Sequence, residues 1–119
     1  MRVVVLAAAF CLSAVAAQAQ TCRVPTIRTF DNQTVDGQMT VKAGTRCNIF
    51  LQNSMGPVET TRIVSRPAAG SATVSGTRVT YVPRAGYTGP DRFTYARAGQ
   101  DRYGRASVKT VNVHVQVIP

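Results

Sequence analysis

The chain has 119 residues, with 14 Lys and Arg, 5 Asp and Glu and a formal net charge of +9 at pH 7. Its hydrophobic content of 45% and charged content of 16% are typical of a globular protein and exclude an intrinsically disordered one. The length is that of a single domain with one core.

The N-terminal segment has the pattern of a secretory leader. Arg2 precedes the apolar run VVVLAAAFCLSAVAA, and Ala17 and Ala19 occupy the small-residue positions before a cleavage site. We expect cleavage after Ala19, with residues 1–19 as signal peptide and residues 20–119 as a periplasmic or secreted domain. A retained anchor is the alternative, but the run is short for a bilayer, which requires roughly 20 apolar residues.

Two cysteines, Cys22 and Cys47, remain once the leader is removed, because Cys11 lies within it. In an oxidising compartment an even pair predicts a disulfide. Closing this loop would stabilise the fold by roughly 3 to 4 kcal/mol. A zinc site requires four ligands, and two cysteines with the single His114 are too few. We expect no metal and no cofactor.

Basic side chains dominate the predicted mature domain. Thirteen Lys and Arg against five Asp and Glu leave a charge of +8 for residues 20–119, and eleven of the thirteen are arginines. Arginine binds phosphate and carboxylate groups through a planar fork of donors. The alternative is that this charge only keeps an exported protein soluble and weakly attracted to an anionic envelope.

After the leader the sequence shows no helical periodicity, and short β-branched runs recur between Gly, Pro, Asn and Asp residues. The alternation predicts seven strands, at Gln38 to Lys42, Arg46 to Leu51, Thr60 to Ser65, Ser71 to Ser75, Arg78 to Val82, Arg92 to Arg97 and about Ala106 to Val117. Seven strands are typical of a two-sheet sandwich. In residues 20–37 an edge strand around Thr26 to Phe30, tied down by Cys22, is one interpretation.

The last predicted strand has the cleanest alternation. Its valines at 111, 113, 115 and 117 alternate with polar residues that include His114, which we expect on the solvated face. Ala106 and Val108 have the opposite parity, so a bulge near Lys109 and Thr110 would be needed to turn both sets inward.

The stretch VTYVPRAGYTGPDRFTY connects two of the predicted strands. Val79 and Tyr81 would face the core on one strand, and Phe93 and Tyr95 on a later one. We interpret the aromatic residues as core and residues 83–90 as the connection between the sheets. The stretch is therefore predicted to be a structural corner and not an active-site loop.

A series of motifs covers roughly Val58 to Val117, in the order Pro67 with Gly70, VTYVP, AGYTGPDRFTY, GQDRYGRAS and VNVHVQV. This ordered series resembles that of bacterial immunoglobulin-like domains of the cadherin-like, tandem-repeat type. The resemblance implies an all-β, immunoglobulin-like Greek-key sandwich of about seven strands, and nothing catalytic. It also implies that Asp91 holds the corner by accepting backbone or hydroxyl hydrogen bonds.

The sequence contains no recognisable catalytic motif. It has one histidine and no GxSxG, HExxH or P-loop pattern. A carboxylate pair for glycoside hydrolysis would have to come from five acids, of which the last four lie in turn-like settings: Asp31, Asp36, Glu59, Asp91 and Asp101. We therefore expect a protein that is not an enzyme.

The immunoglobulin-like topology assigns the arginines to two ends. The loops joining strands two to three, four to five and six to seven gather at one end of such a sandwich. That end would carry a candidate anion-binding cluster of Arg62, Arg78, Arg97, Arg102, Tyr103 and Arg105. The opposite end would carry Arg66, Arg84 and, beside the corner, Arg92. Dispersed, solvated arginines are the alternative.

Together these features predict a small exported binding or accessory module, monomeric or weakly self-associating. Its expected partner is an anionic glycan or an acidic protein of the cell envelope. The alternative is a structural or adhesive domain that acts through strand-edge contacts with a partner chain. Nucleic-acid binding fits the charge, but the sequence has no recognisable motif for it and export conflicts with it.

Overall fold

The computed structural model of the protein describes residues 21–51 and 58–119. In chain order the strands are β1 (Cys22–Arg23), β2 (Thr34–Lys42), β3 (Cys47–Phe50), β4 (Val58–Ser65), β5 (Gly70–Ser75), β6 (Arg78–Pro83), β7 (Gly89–Gln100) and β8 (Ala106–Ile118). Within the described ranges there is no helix, and hence none long and apolar enough to cross a membrane. The predicted leader and its cleavage site lie outside the described residues.

The strands form two sheets. One has five strands in the order β1-β2-β8-β7-β4, and the other has three in the order β3-β6-β5. β2 runs parallel to β8, and the other pairs are antiparallel. Because β2 and β3, β3 and β4, β4 and β5, and β6 and β7 are consecutive but lie in different sheets, the chain crosses the sandwich four times between the described strands. This arrangement confirms the predicted all-β, immunoglobulin-like sandwich, with β2 to β8 as its seven main strands.

The core lies between the sheets and is built from alternate residues of the strands, because successive side chains of a strand point to opposite faces. The buried set, each at most 5% exposed, is Met39, Val41, Cys47, Ile49, Val79, Tyr81, Phe93, Tyr95, Val111, Val113, Val115 and Val117. The rings of Tyr81 and Phe93 stack across the two sheets with centroids 5.7 Å apart. Burying one such large apolar side chain stabilises the fold by about 1.5 to 3 kcal/mol, so these residues decide which face of each strand turns inward.

The first half of β8 differs from the prediction. β8 pairs with β7 without a register shift, so the bulge expected near Lys109 and Thr110 is wrong. The inward parity instead continues through Lys109 and Ser107, which are 9% and 3% exposed, while Val108 lies on the outer face. These polar side chains are tolerated inside because Asp31 accepts a hydrogen bond from the Ser107 hydroxyl at 2.5 Å and lies 3.9 Å from Lys109 Nζ.

The predicted disulfide is confirmed between Cys22 and Cys47. Cys22 lies in β1, at one edge of the five-stranded sheet, and Cys47 lies in β3, at one edge of the three-stranded sheet. The bond therefore joins the two sheets along one side of the sandwich. Its two halves are 25 residues apart in sequence, which makes it a long-range crosslink.

Residues 24–33 form no strand, so the edge strand expected around Thr26 to Phe30 is wrong. Pro25 has no N–H to give to a ladder, which disfavours strand pairing there. The disulfide fixes one end of this segment, and at the other end the Asn32 side chain accepts a hydrogen bond from the Val108 N–H at 3.1 Å. The segment thus crosses the mouth between the sheets as a connection fixed at both ends.

Candidate functional site

Asp91 lies near the start of β7, where the chain has just passed from one sheet to the other. Its carboxylate accepts hydrogen bonds from the N–H groups of Ala68 at 3.0 Å, Ala69 at 3.1 Å and Arg92 at 2.8 Å. The hydroxyl of Tyr81 donates to it at 2.6 Å. These are the backbone and hydroxyl donors expected for this acid, and they connect the β4–β5 loop and β6 to β7.

The same corner is closely packed. Burial raises the pKa of the Tyr81 phenol well above its ordinary value, and the hydrogen bond to Asp91 raises it further. A Cβ atom at Gly70 would lie 2.4 Å from the carbonyl oxygen of Val82, so this position requires glycine. The corner has the features of a structural joint, with its donors and acceptors occupied by the chain itself.

The connection between β7 and β8 is organised by Asp101. Its Oδ1 accepts hydrogen bonds from the N–H groups of Tyr103 at 2.8 Å and Arg105 at 2.9 Å. The Asp101 N–H donates to the Arg105 carbonyl at 2.8 Å and closes the base of the loop. Gly104 has a φ of 77°, which glycine adopts at little cost. We call residues 101–105 the Arg–Tyr loop.

The Arg–Tyr loop displays two guanidinium groups beside one aromatic ring. Tyr103 is 73% exposed. The Cζ atoms of Arg102 and Arg105 lie 5.3 Å and 5.7 Å from the centroid of its ring. These are cation–π distances, which restrain both arginines while their donors stay in solvent. The loop thus brings together three of the six residues predicted to bind an anion.

Two more of the predicted residues lie elsewhere on the surface. Arg62 is in β4 opposite Ala96, on the outer face of the five-stranded sheet. Arg78 begins β6 in the other sheet, opposite Phe50. Both arginines are exposed. The ring contacts that the structure gives for the Arg–Tyr loop include neither of them.

Arg97 does not lie on the surface, which corrects the prediction that it sits at an exposed loop end. It lies within β7, which continues to Gln100, and is 6% exposed. Its side chain has the same inward parity as Phe93 and Tyr95. Burial lowers the pKa of the guanidinium, and the nearby Tyr95 partly opposes this shift. The alternation of β7 could have shown this placement, had the strand been extended past Arg97.

Arg97 instead lines a groove of about 640 Å³ between the sheets. We call it the β3 groove, because the stretch Asn48 to Leu51, which includes the end of β3, forms one wall. The opposite wall is the N-terminal segment from Val24 to Phe30, and Tyr95 lies on the floor beside Arg97. Its volume is within the range of ordinary ligand sites.

Two exposed phenylalanines mark the rim of this groove. Phe30 is 55% exposed and Phe50 is 73% exposed. The exposed Arg28 lies on the same wall as Phe30. None of these three residues was predicted as part of a site. The sequence feature that could have indicated this site is Phe50, a large apolar residue that the alternation of β3 places on the face opposite to that of the inward Ile49.

The acidic side chains that the structure describes are engaged in contacts of the fold. Asp91 and Asp101 accept from backbone N–H groups, Asp31 contacts Ser107 and Lys109, and Asp36 lies 3.1 Å from His114. The two ion pairs found in residues 21–51 and 58–119 use Lys109 and His114, and neither uses an exposed arginine. Among the side chains that the structure describes, no ion pair therefore joins Arg102 or Arg105 to an acid.

The described residues contain no group of three or more His, Cys, Asp or Glu side chains placed to hold a metal ion. At the opposite end of the sandwich, Arg66 and Arg84 are exposed, and Arg84 Cζ lies 5.4 Å from the ring centroid of Tyr87. Arg92 lies in β7 opposite His114 and is also exposed. The cationic groups are thus spread over both ends, and in the Arg–Tyr loop two of them contact the same ring.

Comparison with known proteins agrees with this architecture. The family described as Bacterial Ig domain matches residues 22–114. No curated protein sequence matches the chain. Domains of this family are typically non-enzymatic structural or adhesive modules, and together with the disulfide they indicate a location outside the cytoplasm. The match covers most of the chain and the topology is that of an immunoglobulin-like sandwich, so the chain belongs to the bacterial Ig domain family.

Proposed function

We propose that this protein is a small exported, non-enzymatic binding module that contacts an anionic component of the cell envelope through the Arg–Tyr loop. The partner is a phosphorylated or carboxylated glycan, or an acidic protein. The observation that carries the proposal is the preorganised trio of Arg102, Tyr103 and Arg105 on a loop whose backbone is fixed by Asp101.

Preorganisation favours binding because less side-chain freedom is lost when the ligand arrives. Two guanidinium groups restrained beside one ring offer forked donors to carboxylate or phosphate oxygens. The exposed ring offers a flat apolar surface next to those donors. Such a combination of charge and aromatic surface suits a sugar acid or a phosphorylated sugar, and also an acidic peptide.

Long-range electrostatics supports the same proposal. Residues 20–119 carry thirteen Lys and Arg against five Asp and Glu, and the described acids are held by contacts within the fold. A net positive field speeds the approach of anionic partners and weakens as salt is added. Export is supported by the leader pattern of residues 1–19 and by the disulfide, since disulfides persist in oxidising compartments.

The experiment compares two charge-matched variants of the purified protein. Arg102→Ser with Arg105→Ser removes the loop cations, and Arg66→Ser with Arg84→Ser removes two cations and one Arg–Tyr contact at the opposite end. Affinity for heparin, polygalacturonate and poly-glutamate is measured over a series of salt concentrations. We expect the loop variant to bind at least about tenfold more weakly, with a flatter salt dependence. Equal weakening in both variants would mean that net charge alone binds these polyanions.

A structural or adhesive role is the second candidate, and the free sheet edges favour it. Within the described residues, β3 and β5 border the three-stranded sheet and β4 borders the five-stranded one, each with a single paired neighbour. An open edge presents main-chain donors and acceptors to a partner strand. If binding to all three polyanions is unaffected by the loop variant, this second role becomes the better explanation.

A further inference from the structure

The edge of β3 presents main-chain groups toward the β3 groove. In an antiparallel pair, only alternate residues exchange hydrogen bonds with the partner strand. The Leu51 N–H donates to the Thr77 carbonyl at 2.7 Å, and the register places Ile49 opposite Val79. Leu51 and Ile49 therefore direct their main-chain groups toward β6.

Asn48 and Phe50, which alternate with these residues, direct their N–H and carbonyl groups away from β6. The hairpin between β5 and β6 predicts the same hydrogen-bonding pattern. Its closing pair is Ser75 with Arg78, so the main-chain groups of Arg78 face β5 and not Phe50, the residue opposite Arg78 in β3. A residue of β6 that bonds to β5 leaves its opposite residue in β3 unbonded. No strand of the described residues lies on the other side of β3. The N–H and carbonyl groups of Asn48 and Phe50 thus point along the groove, and no described strand pairs with them.

The side chains along this edge are suited to an extended peptide. Phe30 and Phe50 stand exposed on opposite walls, and Ile49 and Leu51 lie deeper on the β3 wall. Side chains of a strand alternate between two faces. An added strand would therefore turn every second side chain toward Ile49 and Leu51 and the others toward the rim.

The charge of the groove selects among the possible occupants. Among the described side chains that line it, the exposed charged one is that of Arg28, a cation. A second copy of this chain is a poor match, since its own strands belong to a domain with thirteen Lys and Arg against five acids. An acidic partner complements both the groove and the field of the whole domain.

We propose that the β3 groove binds an extended acidic segment of a partner protein, which pairs with the free edge of β3. This inference specifies an edge for the strand-edge role and does not depend on the Arg–Tyr loop. The main-chain groups of Asn48 and Phe50 form hydrogen bonds with the added strand. The side chains of Phe30 and Phe50 pack over this strand, and Arg28 attracts its acidic side chains.

The other edges fit this role less well. β4 has two register shifts along its pairing with β7, and such irregularities protect an edge from added strands. β1 has only two residues and is fixed by the disulfide. β5 is regular, but the groove with its aromatic rim and cations does not extend to it. The β3 edge combines free main-chain groups with a shaped and charged wall.

The test uses the full exported domain with its disulfide and a fluorescent hexapeptide probe of alternating Glu and Val, capped at both ends. Two further probes carry N-methyl groups on alternate amides, one in each of the two phases, so that each lacks the donors of one edge, and a fourth probe replaces Glu by Lys. Fluorescence anisotropy measures affinity, and amide NMR shifts locate the binding. We expect the parent probe to bind with shifts at Asn48 and Phe50, and one of the two N-methylation phases and the Lys probe each to bind at least about tenfold more weakly.

Protein variants provide the matched controls. Phe50→Pro removes an N–H that faces the groove without removing a bond to β6, and Val74→Pro makes the equivalent change at the far edge of the same sheet. The first should lose probe binding and the second should retain it. The Arg102→Ser, Arg105→Ser variant should also retain it, which separates this inference from the loop proposal. Binding of both N-methylated phases as tightly as the parent, or shifts confined to residues 101–105, would overturn the proposal even if Phe50→Pro fails to fold.

Discussion

The hydroxyl of Tyr81 in β6 lies 2.6 Å from the carboxylate of Asp91 in β7, so one hydrogen bond joins the two sheets of the sandwich at the corner. The other oxygen of Asp91 accepts from the N–H of Ala68, in the β4–β5 loop. Tyr81 also stacks on Phe93, two residues beyond Asp91. One acid thereby sets the relative position of two strands and a loop.

Replacement of Asp91 by Ala should lower the free energy of unfolding by about 1 to 3 kcal/mol, because the donors of the buried residues Ala69 and Tyr81 lose their acceptor. Urea denaturation of the purified domain measures this difference. Tyr81→Phe removes only one of the donors and should cost less. An unchanged melting temperature for Asp91→Ala, with loss of binding instead, would assign the residue to function.

Removal of the disulfide by Cys22→Ser with Cys47→Ser should lower stability by roughly 3 to 4 kcal/mol, the chain-entropy value for this loop length. Because the bond joins β1 to β3, amide hydrogen exchange should increase most in these two strands and in residues 24–33. Mass spectrometry of the exported protein should show a start at Gln20 and the intact bridge. Two free thiols in that material would contradict the assignment.

Burial raises the pKa of Tyr95 to about 12, from an ordinary value of about 10. A phenol whose pKa is higher in the folded state stabilises the fold fully below pH 10, and that contribution is lost as pH rises toward 12. The loss amounts to about 2 to 3 kcal/mol. Urea midpoints measured between pH 9 and pH 11.5 should therefore fall less steeply in Tyr95→Phe than in the wild type. Parallel curves would show that the Tyr95 phenol already ionises as in the unfolded chain.

The fold was predictable from the sequence because the alternation of apolar and polar residues along a strand indicates which side chains are buried. The valines of β8, Val79 with Tyr81, and Phe93 with Tyr95 all face the core as their parity requires. The disulfide followed from the cysteine count once the leader was set aside. The role of Asp91 came from the resemblance to a family and not from the alternation.

The errors at Arg97 and in the first half of β8 arose where polar residues face inward. Three polar residues face the core at one end of β7 and β8, namely Ser107, Lys109 and Arg97. In an alternating pattern a polar side chain is predicted to face solvent. The partner that makes two of them tolerable, Asp31, lies 76 residues from Ser107 in sequence. Contacts between residues so far apart in sequence leave no pattern in the local sequence. The β3 groove was not predicted because Arg97, which lines it, was expected on the surface.

The placement of Arg97 gives a prediction that separates a buried arginine from a surface one. Arg97→Ser should lower stability by about 1 to 3 kcal/mol, because the side chain packs inside beside Tyr95 and serine leaves a void. Arg62→Ser, a change of the same charge on the outer face of the neighbouring strand, should alter stability by less than about 0.5 kcal/mol.

Arg97→Met distinguishes packing from charge at the same position. Burial disfavours the charged guanidinium, as its lowered pKa indicates, so a methionine that fills most of the volume should recover the packing part of the stability lost in Arg97→Ser and none of the part due to polar contacts of the guanidinium. Thermal unfolding of the three variants at pH 7 gives the comparison. If Arg97→Ser unfolds at the same temperature as Arg62→Ser, the Arg97 guanidinium is solvated. Arg97 would then belong to the surface cluster predicted from the sequence and would not form the floor of the β3 groove.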